Sequence, residues 1–219
     1  MTEIITYHNI SNNDSDRWAT APSFFESEMK WLAGQGYKGV SLKDFYKDIE
    51  QKKVFVLTFD DGYRDFFDVA MPILDKLDFK ATIFIVSGLI GFISCWRTAN
   101  LQPPLLKWDE IQEIANAGYE IGSHGVYHSD FFRLSKEKLE QEIAESKKLI
   151  EGKTGIPVVS FSYPWNRCNE QILDIVKKAG YKYAAIHGRK YRTSFKDDCF
   201  RLCQRGMSNR NSVKDFIGK

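Results

Sequence analysis

The sequence predicts an α/β fold, an irregular (β/α) barrel of about seven parallel strands with helices on the outside. Short apolar runs alternate with amphipathic stretches along most of the chain, and that order is typical of a parallel sheet, open or closed. The length of 219 residues is enough to bury a substantial core. Polar residues follow several of the apolar runs directly, as they do at the strand ends of barrels.

The first quarter of the chain predicts a strand, two helices and a second strand. The run 3–7 ("EIITY") reads as a strand, and residues 22–37 carry apolar side chains at helical spacing up to a glycine stop. Ser41 is placed to cap a short helix over 41–50. The run 54–59 ("VFVLTF") predicts a buried strand.

The middle of the chain continues the alternation. Residues 65–77 predict a helix with Pro72 as a candidate kink, and 81–86 ("ATIFIV") predicts a strand. Residues 87–106 are irregular, and a loop of this length in a compact domain is often functional. Three periodic segments follow, namely a helix over 108–118, a strand over 119–124 and a helix over 135–151.

The last third repeats the same order. Residues 158–164 ("VVSFSYP") predict a strand, 169–180 a helix and 181–186 another strand. A β-like run over 200–205 and a short final helix complete the pattern. No linker or low-complexity segment divides the chain, so we expect residues 1–219 to form a single domain.

Composition excludes several functional classes. The net charge of +2, from 31 basic and 29 acidic residues, gives no global attraction for nucleic acid. No segment approaches the ~18 apolar residues of a membrane helix. The start "MTEIITYHNI" lacks the features of a signal peptide, so we expect a cytoplasmic protein if Met1 is the natural start. The four cysteines form no CxxC pair, which indicates reduced, separately packed thiols.

Residues with catalytic potential follow the predicted strands. His8 follows the first run, Asp60 and Asp61 follow 54–59, and His124 ends 119–124, with His128 four residues later. The carboxyl ends of barrel strands meet at one rim, where reactive groups collect. The sequence therefore predicts that three of the four histidines and two adjacent carboxylates lie on the same rim.

His124 and His128 are spaced to bind one metal ion. An i, i+4 pair on a helical turn faces one side. The zincin protease motif has Glu after its first histidine, whereas Gly125 stands here, which excludes that protease class. A carboxylate from another strand would complete a set of two histidines and one carboxylate. The alternative is that His124 caps a turn and His128 only packs.

Asp60 and Asp61 raise an electrostatic problem, because adjacent like charges repel unless a cation lies between them. Adjacent residues at a strand end point to opposite sides, so one carboxylate can ligate a metal while the other faces the bound water. A divalent ion also relieves the repulsion, and its bound water has a pKa of roughly 7 in zinc hydrolases. The alternative is an Asp-Gly turn with a spare surface charge.

Three segments carry a family resemblance: "TFDDG" (58–62), "SHGVYH" (123–128) and "FSYPWN" (161–166). In this order they resemble the polysaccharide deacetylases of carbohydrate esterase family 4, which contain the NodB-homology domain. The similarity runs from residue 4 into the C-terminal tail, and it implies a single catalytic domain with the irregular (β/α) barrel. "TFDDG" is a specific signature of that family, whereas the HxxxH spacing is weak alone and strong as its second element.

The resemblance also implies roles for these residues. Asp60 would be the general base, and the metal ligands would be Asp61, His124 and His128. The ion would be divalent, zinc before cobalt or nickel. The backbone N–H of Trp165, which follows Tyr163 and Pro164, would donate a hydrogen bond to the oxyanion. Such a contact stabilises the transition state by about 3 kcal/mol.

The general acid has two candidates. "TYHNI" is similar to the "YH" opening of the poly-N-acetylglucosamine deacetylase branch, which implies that His8 is the acid, with His187 as its competitor. Many relatives have an arginine where this chain has Ser162, so either another cation tunes Asp60 or its pKa differs from theirs. Gly125 and Asn166 also depart from the family pattern.

Tyr163, Trp165, Trp96 and Trp108 fall on predicted rim loops, where aromatic rings can stack on sugar faces. The leading hypothesis is a metal-dependent hydrolase that removes N-acetyl groups from an amino-sugar-containing carbohydrate, with no nucleic-acid partner. One alternative is hydrolysis of a cyclic imide, ureide or other small amide within the same superfamily. Another is a catalytically silent carbohydrate-binding module, although a pure binder has no need of two adjacent carboxylates.

Overall fold

The computed structural model describes residues 2–47, 49, 52–96, 102–188, 198–215 and 217. Within this part of the chain, seven parallel strands close into a barrel in the order β1-β3-β4-β5-β6-β7-β8, and β8 returns to β1. This confirms the predicted barrel. The strands are β1 (Ile4–Tyr7), β2 (Lys38–Val40), β3 (Val54–Phe59), β4 (Thr82–Ile85), β5 (Glu120–Ser123), β6 (Ser160–Ser162), β7 (Tyr183–His187) and β8 (Leu202–Gly206).

The strand β2 lies outside the ring. It pairs with the first half of β3, from Lys38 opposite Val54 onward, while β4 pairs with the second half at Thr58. The sequence analysis did not predict β2 and extended the first helix to residue 37. That expectation was wrong because the helix ends at Gly34, and three residues are too few to show an alternating pattern.

Six α-helices surround the described strands: α1 (Pro22–Gly34), α2 (Leu42–Phe45), α3 (Met71–Asp75), α4 (Trp108–Asn116), α5 (Lys136–Thr154) and α6 (Glu170–Lys178). The predicted helix over 65–77 instead begins as a π-helix at Phe66–Ala70 and becomes α-helical at Met71. Pro72 lies in the first turn of α3, directly after the π-helical residues. The final helix is a single 3-10 turn at Val213–Asp215.

The cap predicted at Ser41 is present, and a second side-chain cap begins α5. The Ser41 side chain accepts a hydrogen bond from the backbone N–H of Asp44 at the start of α2. Ser135 caps α5 in the same way through the N–H of Lys138. Each cap satisfies one backbone donor that the first helical turn leaves without a partner.

A buried carboxylate lies at the amino end of the barrel and joins several elements there. Glu120, the first residue of β5, accepts hydrogen bonds from the hydroxyls of Ser160 (2.6 Å) and Thr82 (2.7 Å) and from the N–H of Lys43 (2.8 Å). Burial raises the pKa of Glu120, while these three donors stabilise its anion. The contacts join β4, β5, β6 and α2 at the end of the barrel opposite the polar rim.

No helix in the described ranges is both long and apolar enough to cross a bilayer. The four cysteines are described, and none of them is in a disulfide. The fully buried side chains fill the barrel and the layer between strands and helices. The carboxyl-terminal rim of the strands is therefore left as the polar face.

Gly122 in β5 tests how tightly the strands are packed. A Cβ at this position would lie 2.5 Å from the Phe84 ring and 3.2 Å from the carbonyl oxygen of Ser160. We expect Gly122→Ala to lower the free energy of unfolding by about 1–3 kcal/mol, the usual cost of overpacking. Urea denaturation followed by circular dichroism measures it.

Gly152→Ala in α5 is the matched control, since nothing lies within 4 Å of a Cβ there. Replacing a helical glycine by alanine is expected to raise the free energy of unfolding by about 0.5–1 kcal/mol. Equal stability of the two variants would contradict the tight packing between β4 and β5.

Candidate active site

The strand ends surround a cavity of about 550 Å³ at the polar rim. The sequence predicted three histidines here, and the structure brings all four together, because His187 ends β7 on the same rim. The signal for His187 was its position directly after the run 181–186. The cavity is lined by the four histidines and both adjacent aspartates, together with Trp18, Trp96, Tyr163, Trp165, Asn166 and the polar residues Ser15, Asp16 and Arg17.

Asp61, His124 and His128 form a buried group of possible metal ligands. The Oδ1 atom of Asp61 is 3.5 Å from Nε2 of His124 and 3.3 Å from Nε2 of His128. Ligands bound to a tetrahedral ion at about 2.0–2.2 Å are separated by roughly 3.3–3.6 Å. The donor set and its spacing therefore fit a small divalent ion.

The histidine pair lies on an irregular loop that is not helical, so the predicted helical turn was wrong. The backbone takes positive φ at Gly125 (80°) and at His128 (56°), and these two residues reverse the chain after β5. Asp61 also has positive φ (77°), which turns it away from the direction of β3. Three non-helical turns, not one helical face, bring the three ligand atoms together. Such left-handed residues often occur at functional sites.

Hydrogen bonds orient the ligands. The Nδ1 atom of His124 lies 2.8 Å from the backbone oxygen of Ser162, which leaves Nε2 directed at Asp61. Burial alone would raise the pKa of Asp61, but its hydrogen bonds with His124 and His128 hold that pKa well below its usual range. Burial lowers the pKa of His128, which favours the neutral imidazole that binds metal.

Asp60 faces a different set of partners, although it is only 2% exposed. Its carboxylate accepts from the hydroxyl of Ser162 at 3.3 Å and from the amide of Gln204 at 3.4 Å, and it lies 3.5 Å from Nε2 of His187. Burial raises the pKa of Asp60, yet the His187 contact and the nearby histidines lower it overall. No lysine or arginine contacts this carboxylate in the described ranges, so its partners are a hydroxyl, an amide and an imidazole. The sequence analysis missed Gln204, which gave no signal within a short β run.

His8 borders the same carboxylate. The ligand atoms of His8, Asp60 and His187 lie within 4.8 Å of one another. The His8 ring stacks on Trp18, with ring centroids 4.8 Å apart, and lies 5.2 Å from the His187 ring. Trp18 was missed by the sequence analysis, and an aromatic residue in the polar loop between β1 and α1 was the available signal. Both candidate acids therefore lie beside Asp60.

Aromatic rings line the other wall. Trp96 stacks on His128 with centroids 4.4 Å apart, and Trp165 donates its indole N–H to the His128 carbonyl at 2.8 Å. Trp165 has positive φ (55°) and is about half exposed, and Tyr163 lines the cavity beside it. Pro164, which lies between them in the sequence, is buried and does not line the cavity.

The expectation for Trp108 was wrong. This residue begins α4, packs against the core and lines a separate groove together with Phe92 and Tyr127. The helix start at this position was predicted, but the side on which the Trp108 side chain lies depends on how α4 packs, which the sequence alone did not reveal. Trp108 is therefore not part of the aromatic wall of the cavity.

Comparisons with known proteins agree with this arrangement. The sequence model of the family described as polysaccharide deacetylase matches residues 47–184. The Bacillus subtilis protein YxkH, which carries a provisional polysaccharide deacetylase name, is 33% identical over 184 residues, covering 82% of this chain and 62% of that protein. The poly-beta-1,6-N-acetyl-D-glucosamine N-deacetylase of Staphylococcus aureus is 27% identical over 190 residues, covering 81% and 64%.

Solved structures match more completely. The Streptococcus pyogenes deacetylase PplD, solved in complex with acetate, is 25% identical with a TM-score of 0.84, covering 98% of this chain and 95% of that one. A de-N-acetylase from Aggregatibacter actinomycetemcomitans has the same fold, with a TM-score of 0.83 at 20% identity and 99% coverage of both chains. The present chain thus spans 62% and 64% of the two curated relatives but nearly all of these two structures.

One further carboxyl group near the rim is titratable near neutrality. The Oδ1 atom of Asp65 is buried. Burial first, and then the charges of Asp68, Asp16 and Asp61, raise the pKa of Asp65 to about 7, although the N–H of Ile10 stabilises the anion. An ordinary aspartate has a pKa of about 3.9 in the unfolded chain.

This shift predicts a pH-dependent stability. Between about pH 4 and 7 the folded chain holds a proton that the unfolded chain has lost, so stability falls as pH rises through this window. We expect Asp65→Asn to remove up to about 1.4 kcal/mol per pH unit of that slope. Urea denaturation of metal-free protein across the window measures it. Asp174→Asn, at an exposed position on α6, is the control, because its charge is not among those that raise the pKa of Asp65. Parallel curves for wild type and Asp65→Asn would contradict the shift.

Proposed function

Because the chain belongs to the polysaccharide deacetylase family, we propose that it is a metal-dependent hydrolase that removes N-acetyl groups from an amino-sugar-containing carbohydrate. The observation that carries this proposal is that each of two adjacent buried aspartates lies beside its own pair of histidines. The distances from Asp61 to its two histidines are also those of metal ligands. We also propose that residues 1–219 act as a single catalytic domain.

Asp61, His124 and His128 would hold the ion. Two imidazole nitrogens and one carboxylate oxygen suit zinc, with cobalt and nickel as alternatives. When bound, the ion would supply Lewis-acid polarisation of the acetyl carbonyl and would lower the pKa of a coordinated water. Their spacing of 3.3–3.5 Å supports this assignment, as does the hydrogen bond that directs His124.

Asp60 would accept the proton of the attacking water. Its lowered pKa keeps it ionised at neutral pH, and donors from Ser162 and Gln204 hold the carboxylate in place. The backbone N–H of Trp165 would donate to the acetyl oxygen as negative charge develops there. Its left-handed conformation and its place in the cavity wall support this role.

His8 would donate a proton to the departing amine. It stacks on Trp18, which fixes the plane of its ring, and it lines the same cavity as the three metal ligands. The aromatic residues Trp96, Trp165 and Tyr163 would pack against the sugar faces. The name of the Staphylococcus aureus relative supports an N-acetylglucosamine polymer as the substrate.

A small substrate panel tests the activity. Zinc-loaded protein is incubated with β-1,6-linked N-acetylglucosamine oligomers, chitooligosaccharides and a cyclic ureide. We expect acetate release from an N-acetylglucosamine oligomer. Ring opening of the ureide without acetate release would favour the small-amide alternative, and binding of oligomers without any turnover would favour a silent carbohydrate-binding module.

The two aspartates predict opposite phenotypes. Asp61→Ala is expected to abolish tight binding of about one divalent ion per chain, since it removes the only carboxylate in the ligand set. Asp60→Asn should retain that ion and lower kcat by about 10²–10⁴-fold, the range for loss of a general base. Metal analysis and steady-state kinetics measure both. An active Asp60→Asn enzyme would falsify the base assignment.

His8 and His187 can be separated by matched substitutions in the same cavity wall. His8→Ala is expected to lower kcat by about 10²–10⁴-fold while the tight ion stays bound. His187→Ala removes an imidazole beside the same carboxylate and should be the less damaging change, since His187 would only position Asp60. If His187→Ala lowers kcat further than His8→Ala does, the acid is His187.

A further inference from the structure

A second group in the cavity has metal-ligand chemistry. His8, Asp60 and His187 offer two imidazole nitrogens and one carboxylate oxygen, all within 4.8 Å of one another. Asp60 Oδ2 is 3.5 Å from His187 Nε2, the same separation as between Asp61 and His124. This group repeats the composition of the first ligand set and one of its two carboxylate–imidazole separations.

The second group is also held in place without an ion. The Asp60 carboxylate is fixed by the hydroxyl of Ser162 and the amide of Gln204. The Trp18 ring stacks on His8 and lies 5.6 Å from the His187 ring. The carboxylate is buried, whereas both histidines are half-buried and line the cavity, so a hydrated ion can reach them from solvent.

We propose that His8, Asp60 and His187 form a second, weaker site for zinc or a similar divalent ion, and that its occupation inhibits the enzyme. The binding is weaker for two reasons. Both histidines of this set are half-buried, whereas the first set is fully buried, so water screens the attraction more strongly here. An ion already bound in the first set also repels a second ion. Two imidazoles and one carboxylate suit ions that prefer nitrogen, which favours zinc over magnesium or calcium.

Inhibition follows from the lone pairs that the second ion uses. An ion bound to Asp60 takes the oxygen that would accept the proton of water, and an ion bound to His8 takes the nitrogen that would carry a proton to the amine. The second ion is therefore an inhibitor and not a catalytic partner of the first. This consequence rests on the proposed function, whereas the binding itself does not.

Equilibrium dialysis of the full chain against zinc tests the site directly, with bound metal measured by mass spectrometry. We expect wild type to bind one ion tightly and a second at least about tenfold more weakly, a difference of about 1.4 kcal/mol. Asp60→Asn and His187→Ala should each lose or strongly weaken the second ion and keep the first. Asp61→Ala should lose the tight ion.

Cys95→Ser is the control, because Cys95 is an exposed thiol that could bind zinc outside the cavity. This variant should keep both ions. The proposal is overturned if wild type binds no second ion at millimolar zinc, if Cys95→Ser loses it, or if it persists unchanged in both Asp60→Asn and His187→Ala. Using two variants protects the test against misfolding of either one.

Kinetics provide the second readout. Deacetylation by wild type should fall as the second ion binds, with half-inhibition at the zinc concentration that half-fills the second site in dialysis. Inhibition at a concentration unrelated to that binding would overturn the inhibitory role. If no substrate is deacetylated at all, the proposed function fails, and dialysis still decides whether the second site exists.

Discussion

Two buried carboxylates on consecutive residues are the constraint on which the rest of the site depends. Asp60 and Asp61 are 2% and 3% exposed, so neither can rely on water to stabilise its charge. The fold resolves this by giving each carboxylate its own pair of histidines, His124 and His128 for Asp61, and His8 and His187 for Asp60. Positive φ at Asp61 separates the two side chains, and the separation makes two chemical roles available.

Closure of the barrel supplies those partners. Parallel strands end at the same rim, so β1, β5 and β7 bring residues from distant parts of the chain to the end of β3. The neighbours of Asp60 come from β6, β7 and β8, and Ser162 and Gln204 are 102 and 144 residues away from it in sequence. Polar donors from several strands therefore stabilise the Asp60 carboxylate in place of a single lysine or arginine. At the opposite end of the barrel, the buried Glu120 joins neighbouring strands.

Much of this arrangement could be predicted from the sequence, because strand periodicity and the residues after each strand are local properties. These local properties predicted the barrel, the cap at Ser41 and the grouping of His124 with Asp61. The contact of Gln204 with Asp60 could not be predicted, since it depends on how β8 closes against β1. The loop at His128 was misjudged because HxxxH spacing suits a helix, whereas left-handed backbone at Gly125 and His128 produces the same convergence without one.

The central claim is that Asp61 binds the catalytic ion and Asp60 remains outside its coordination sphere. Anomalous X-ray diffraction from crystals prepared with one equivalent of zinc tests it most directly. We expect one strong peak about 2.0–2.2 Å from the Asp61 carboxylate and from Nε2 of His124 and His128, with Asp60 not coordinating. A single zinc ligated by Asp60, or one bound away from His124 and His128, would contradict it.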